Sequence, residues 1–252
     1  MIDLTPLIRF GLLLVRPGML VMVAPAFGGL YTPPQVKVGL TVLMAIGLLP
    51  SVQVPPAGGD VGLAVMVTRE MAIGMSLALV ARALVASAEF AGHLSGFQMG
   101  FSYGATVDPS TGVRNTMIAS LYGLLSVLTF LAVNGHHALL RALAESYAGL
   151  PIGAGELHDS ILSAVSRILA LVFTVGVRLA APIIVVLLIV ELAIGLIART
   201  APSLSMMVIG YPLRIVIGLA VLAALVSTIP GVIGSMVDRV IGLALETAAA
   251  FR

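Results

Sequence analysis

Six stretches of this chain are apolar enough to lie in a bilayer, yet nearly all are broken by proline, glycine or a formal charge. They cover Leu7–Gly28, Val36–Leu49, Val61–Ala91, Asn115–Leu143, Ile161–Ala198 and Leu213–Val237, and an amphipathic tail, Asp238–Arg252, follows. About 20 apolar residues cross a bilayer as a helix. Backbone groups in hydrocarbon find no water, so any non-helical piece must be buried in protein or line a cavity. The expected fold is therefore an all-α integral membrane protein, its hydrophobic segments arranged as broken helical hairpins.

The breaks carry as much information as the runs. The second segment is short and is closed by Pro50 and the polar VQVPPAGGD loop. The third and fifth are too long and too charged for simple spans: the third holds Arg69, Glu70, Arg82 and Glu89, and the fifth is interrupted by Arg178 and Pro182 and carries Glu191. Arg16-Pro17 lies inside the first, and Pro230-Gly231 is a candidate break in the sixth. A charge at a helix centre costs about 2.5–3.5 kcal/mol on insertion scales. Arg16, Glu70, Arg82, Arg178 and Glu191 are thus costly on a lipid-exposed bundle and tolerable only if they are paired against neighbouring helices. They are expected at interfaces within a larger assembly; the plainer alternative is that they mark the ends of spans. Loop charge is too balanced to orient the chain by the positive-inside rule.

Composition closes off other classes. The chain is 60% hydrophobic and 10% charged, against roughly 25% charged residues in soluble domains. A net charge of +2 with no basic run gives no footing for nucleic acid. The absence of cysteine removes disulfides, thiolate metal sites and cysteine nucleophiles. Met1-Ile2-Asp3-Leu4 lacks the positive start of a cleavable signal, so the first apolar segment is expected to be retained. Trp is absent, which leaves the usual interfacial aromatic belt thin.

The stretch Gly92–Asn115 stands apart. Glycine recurs at Gly92, Gly96, Gly100 and Gly104, one face of a helix at four-residue spacing, and small residues so placed let helix backbones approach closely. A turn-forming run, Asp108-Pro109-Ser110-Thr111-Gly112, follows: Asp bonds the following backbone, Pro presets φ and Gly absorbs positive φ. Arg114 is close enough in sequence to pair with Asp108. The flanking Phe97, Met99, Phe101, Tyr103, Met117 and Ile118 suit a deformable plug better than a solvated connector.

Catalytic patterns are weak. Gly100-Phe101-Ser102-Tyr103-Gly104 matches G-x-S-x-G, with His136 and His137 downstream, so an intramembrane serine hydrolase using Ser102 is the enzyme-class alternative. That motif needs a strand–turn–helix context, whereas here the glycines continue a helical spacing. His136 and His137 are adjacent and point to different faces of a helix, without metal-ligand spacing. No glycine loop of phosphate-binding type is present. No cofactor or metal is expected.

Taken together, the motifs resemble the FliR family, flagellar export-gate proteins whose injectisome counterpart is called SctT. The resemblance rests on Arg16-Pro17-Gly18, Ala24-Pro25-Ala26-Phe27-Gly28-Gly29 and Pro33-Pro34-Gln35-Val36-Lys37, then Arg69-Glu70 with Gly74. It continues through Gln98-Met99-Gly100 and Val107-Asp108-Pro109-Ser110-Thr111-Gly112, Phe130-Leu131, Asn134-Gly135-His136, Ser146 and Pro151. Ala181-Pro182, Arg199, Ala201-Pro202 and Gly210-Tyr211-Pro212-Leu213-Arg214-Ile215 complete it. His93, Ser205 and Met207 depart from the family pattern.

The resemblance implies a non-enzymatic subunit of a type III export gate in the bacterial inner membrane, within the flagellar basal body. It implies a pore built with FliP-like and FliQ-like subunits, beside an FlhB-like switch protein and the basal-body ring, passing unfolded exported polypeptides. Residues 1–160 correspond to a FliP-like region and 161–252 to a FliQ-like hairpin and tail. The loop around 100–115 corresponds to a pore plug: Met99, Gly100, Phe101, Ser102, Tyr103, Gly104, Asp108, Pro109, Gly112 and Arg114. The Val107–Gly112 run leans toward the flagellar branch. A stand-alone transporter or channel is the main alternative, since Gly- and Pro-broken helices also build midplane sites, but no internal repeat supports it.

Overall fold

The computed structural model describes residues 5–29, 32–50, 52, 59–101, 117–155, 160–200 and 206–251. Among these the chain is entirely helical: α1 Thr5–Val23, α2 Pro34–Leu48, α3 Gly59–Met99, α4 Met117–Ala132, α5 Gly135–Gly149, α6 Ser160–Thr200, α7 Met206–Leu225 and α8 Ile229–Ala249. Three helices are long and apolar enough to cross a membrane, or up to five if each bent helix pair is one span. The all-α membrane fold read from the sequence is the one observed.

Where segments break differs from expectation, for local reasons. The fifth segment is not interrupted: α6 runs 41 residues through Arg178 and Pro182. A helix-interior proline forfeits one backbone hydrogen bond, whereas ending the helix in apolar surroundings would strand several backbone groups at several kcal/mol each. The fourth segment does break. It bends by 68° between α4 and α5, at Asn134, whose φ of 57° is a left-handed conformation that Asn adopts more readily than most residues. Gly135 follows with no room for a side chain, because the Phe130 ring occupies the place of its Cβ. The sixth bends by 57° between α7 and α8, just ahead of Pro230, which lies in the first turn of α8 where its missing N–H costs nothing. The tail read as separate is the continuation of α8.

Two compact units form, each with its own core. One comprises Met1–Ala83, Phe130–Leu169 and Met236–Arg252; α1 packs against α2, and Leu12, Leu13, Leu20, Ile73, Leu139 and Leu143 are fully buried. The other comprises Leu84–Thr129 and Ala170–Ser235, with Leu84, Val85, Ala88, Tyr122, Ile183 and Leu187 buried.

The glycine stripe does part of what its spacing suggests. At Gly92, α3 lies directly on α4: an added Cβ would sit 2.5 Å from the Cα of Ala119. Gly104 lies outside the described residues, and helix α3 ends at Met99, because Gly100 takes φ +89° and caps it. Its N–H bonds the Phe97 carbonyl (3.0 Å) and the Phe101 N–H bonds the Gly96 carbonyl (3.0 Å), the paired bonds of a Schellman cap. Gly92→Val is expected to force α3 and α4 apart and cost about 1–3 kcal/mol, read as a lowered melting temperature of the detergent-solubilised protein. Gly123→Ala is the control: its Cβ meets only the flexible Glu89 side chain, and its melting temperature should fall less.

Candidate functional site

Pro17 sets the first site in motion. Within α1 it has no N–H to give the carbonyl of Leu13, four residues earlier. That carbonyl instead accepts a hydrogen bond from the Tyr147 hydroxyl of α5 (3.4 Å). The Tyr147 ring in turn lies under the Arg16 guanidinium, 4.1 Å from its carbon to the ring centroid, a cation–π geometry. Opposite, Gly74 of α3 leaves no space for a Cβ against the Arg16 backbone, so α1 and α3 come close enough for Arg16 to reach Glu70, one turn before Gly74.

The pair is bidentate and fully buried. Arg16 Nε donates to Glu70 Oε2 at 2.8 Å and Nη2 to Oε1 at 3.0 Å, with both side chains 0% exposed. Most of the remaining donor capacity is also used. Arg16 Nη1 donates to Ser146 Oγ (2.9 Å) and Nη2 to the Leu150 carbonyl (3.1 Å). The Gly153 N–H donates to Glu70 Oε1 (3.1 Å), and Arg69 Nη1 donates to the Gly153 carbonyl (2.9 Å). One guanidinium and one carboxylate thereby tie α1, α3, α5 and the 150–153 turn. Buried charges persist when paired and hydrogen-bonded, and in this pair four of the five guanidinium N–H groups find acceptors. It has no open face for a substrate: it is a clamp.

Arg16 and Glu70, expected at subunit interfaces, are both 0% exposed within their own chain. The other expected interface charges are distributed differently. Arg82 is half-buried. Arg178 is exposed on α6, without a carboxylate partner among the described residues. Glu191 bonds Arg214 of α7 at 2.8 Å, a pair partly open to its surroundings at 47% and 24% exposure respectively.

Of the expected plug, only Met99, Gly100 and Phe101 lie among the described residues; Ser102, Tyr103, Gly104, Asp108, Pro109, Gly112 and Arg114 lie outside them. Met99 is fully buried, its side chain against Gly218 of α7. Gly100 faces the Tyr211 ring, whose nearest carbon would be 3.1 Å from an added Cβ. Phe101 is partly exposed and Phe97 strongly so. The chain enters Ser102 from a helix C-terminus rather than from a strand, which removes the entry geometry of a nucleophile elbow. His136 and His137 stack on one another, 4.2 Å between ring centroids. No group of three metal-ligating side chains occurs among the described residues.

Sequence reasoning singled out Arg16, Glu70 and Gly74, and noted Ser146, without seeing that they meet. It missed Tyr147, Gly153 and the role of Arg214. The usable signal was the charge count inside apolar segments: each buried carboxylate demands a cation, although sequence spacing does not say which.

The chain matches the model of a family described as bacterial export proteins, family 1, over residues 7–240. It is 33% identical over 217 residues to the flagellar biosynthetic protein FliR of Escherichia coli (strain K12), covering 86% of this chain and 83% of that one. It is 28% identical over 250 residues to FliR of Bacillus subtilis (strain 168), covering 98% and 94%. It is 32% identical over 224 residues to FliR of Caulobacter vibrioides, covering 86% and 88%.

Proposed function

We propose, from the premise that this chain belongs to the bacterial export proteins, family 1, that it is a membrane component of the flagellar export apparatus and serves there as a subunit rather than an enzyme. In the finer form of this reading it builds, with FliP-like and FliQ-like subunits, the pore through which unfolded polypeptides leave. An FlhB-like switch protein and the basal-body ring stand beside it in the bacterial inner membrane. Residues 1–160 are the FliP-like region, 161–252 the FliQ-like hairpin and tail, and the 100–115 loop is the plug.

One observation carries the assembly reading: the length and exposure of α6. At 1.5 Å per residue its 41 residues extend about 61 Å, twice the roughly 30 Å of hydrocarbon in a bilayer. Large apolar side chains remain exposed along its whole length, including Leu162, Leu169, Phe173, Val177, Ile189 and Leu196. Lipid covers at most half of them. The rest need protein, because a contiguous exposed apolar surface of that extent marks an interaction site. The Arg16–Glu70 clamp supports the same reading by keeping three helices in register without lipid support.

The plug follows from the chemistry of the 100–115 sequence. Bulky apolar side chains close a narrow pore by excluding water, and glycines let the backbone yield to a passing chain. Gly100, capping α3 against Tyr211, gives that segment a fixed root.

The test is affinity purification of tagged protein in mild detergent, with the stoichiometric partners identified by mass spectrometry. FliP- and FliQ-like subunits are expected in one large complex. A chain recovered alone, or only as a homo-oligomer, overturns the assembly reading in favour of an independent transporter.

A further inference from the structure

We propose that the cavity between the last turns of α5 and α8 is a docking site for a segment of a partner protein in which a lysine or arginine stands beside a large apolar residue. This rests on the assembly reading, since the partner must be a neighbour in that complex, and it adds the place and chemistry of one attachment.

The cavity exists because bulky side chains are missing. Ala148 and Gly149 close α5, and Ala248 and Ala249 close α8. Where these last turns face one another they leave a space of about 470 Å³, within the roughly 300–1,000 Å³ of pockets that hold ligand-sized groups. Glu145, Ser146, Leu150 and Leu245 complete the lining. Ser146, Leu150 and Ala248 are buried, whereas Glu145, Ala148 and Ala249 are exposed, so the space is a hollow with a closed floor and an open rim. The floor is fixed in place: Ser146 Oγ and the Leu150 carbonyl each accept a hydrogen bond from Arg16. The hollow is thus built on the clamp and stands ready before anything enters it.

Floor and rim ask for different chemistry. Leu150, Leu245 and the alanine methyl groups present an apolar wall. The rim is negative, because two helices end at it, each with about half a negative charge on its last carbonyls, and Glu145 adds a full one. A basic side chain in the last turn commonly offsets such charge, and neither α5 nor α8 has one there. Glu145 has no ion pair or hydrogen bond among the described residues, even with Arg141 one turn before it. A bare divalent cation would need several converging oxygens, and one carboxylate does not supply them. A lipid phosphate is repelled by the same field. A lysine or arginine suits both surfaces at once, its stem along the apolar wall and its cation at the rim, with an apolar neighbour filling the floor.

The test places p-benzoylphenylalanine at Ala249, on the exposed rim, in cells that produce the whole apparatus. After irradiation the adduct is mapped to a peptide by mass spectrometry, and partner co-purification is measured alongside. The expected adduct lies on a partner protein, in a peptide with lysine or arginine next to a large apolar residue. Glu145→Lys should lower its yield about tenfold, because like charges then meet across the interface, and changing the partner's basic residue to glutamate should restore it. Glu145→Lys should leave the melting temperature unchanged, since the replaced side chain is exposed and unpaired, so that a lost adduct does not report unfolding. Partners recovered without any adduct at Ala249 overturn the docking inference alone. An adduct on a second copy of this chain, on lipid only, or on a peptide without a basic residue overturns it as well, as does a yield indifferent to Glu145→Lys. Wild-type protein recovered without partners overturns the assembly reading and this inference together.

Discussion

Truncating Glu70 to alanine should cost the protein about 3–5 kcal/mol, the usual range for removing one partner of a buried ion pair, and should abolish recovery of folded protein. The loss is more than two hydrogen bonds. Arg16, 0% exposed, keeps its charge and has no route to solvent, and the Gly153 N–H loses its acceptor. Arg16→Ala leaves the carboxylate stranded in the same way. Replacing both by apolar residues of similar volume, Arg16→Met with Glu70→Leu, should recover part of the loss, since neither charge is then buried alone. Recovery will be incomplete because Ser146, Leu150 and Gly153 each lose a partner. The measurement is yield and melting temperature of the purified protein for the two single variants and the double. Normal yield of Glu70→Ala would mean that the clamp does not hold the fold. The outcome also separates two roles for these charges: a clamp internal to the chain lowers the stability of the subunit itself, whereas an interface charge lowers only its recovery with partners.

Deleting Ser102–Thr111 should have the opposite signature: an assembled complex in normal yield, with a membrane that leaks ions. The root of the segment is outside the deletion. Met99 stays seated on Gly218, and the α3 cap at Gly100 needs only the Phe97 and Gly96 carbonyls. What is removed is the stretch that excludes water from the proposed pore. The test is ion conductance or growth under ionic stress in cells producing the deletion variant, with partner recovery measured in parallel. A tight membrane with an intact complex removes the plug from the proposal while leaving membership of the export apparatus untouched. Ser102→Ala alone should change neither conductance nor export, whereas loss of function in that variant would revive the hydrolase alternative.

Much of this was legible in one dimension. Apolar runs of membrane length made the fold all-helical before any coordinates, because hydrocarbon leaves the backbone no other way to satisfy itself along so short a local stretch. Of the five charges singled out inside those runs, Arg16, Glu70 and Glu191 are paired in ion pairs, while Arg178 is exposed. Arg16-Pro17, Glu70 with Gly74, and Ser146 drew notice as separate motifs. The four-residue glycine spacing correctly announced close helix contact at Gly92, and it misled at Gly100, since the same residue type that permits helix packing also ends a helix when its φ turns positive, as there. Proline misled in the other direction at Pro182, where apolar surroundings make losing one hydrogen bond less costly than ending the helix.

What the sequence determined by itself is therefore the solvent, the helical class and the family, all of which follow from local apolarity and ordered short motifs. Which charge meets which was decided only in three dimensions. Arg16 finds Glu70 at a separation of 54 residues and Ser146 at 130, and no periodicity encodes such distances. They depend on Pro17 freeing one carbonyl for Tyr147 and on Gly74 letting two backbones touch. The reason is physical: a desolvated charge is stabilised by the geometry of every donor and acceptor around it at once, and that geometry exists only after the helices have packed.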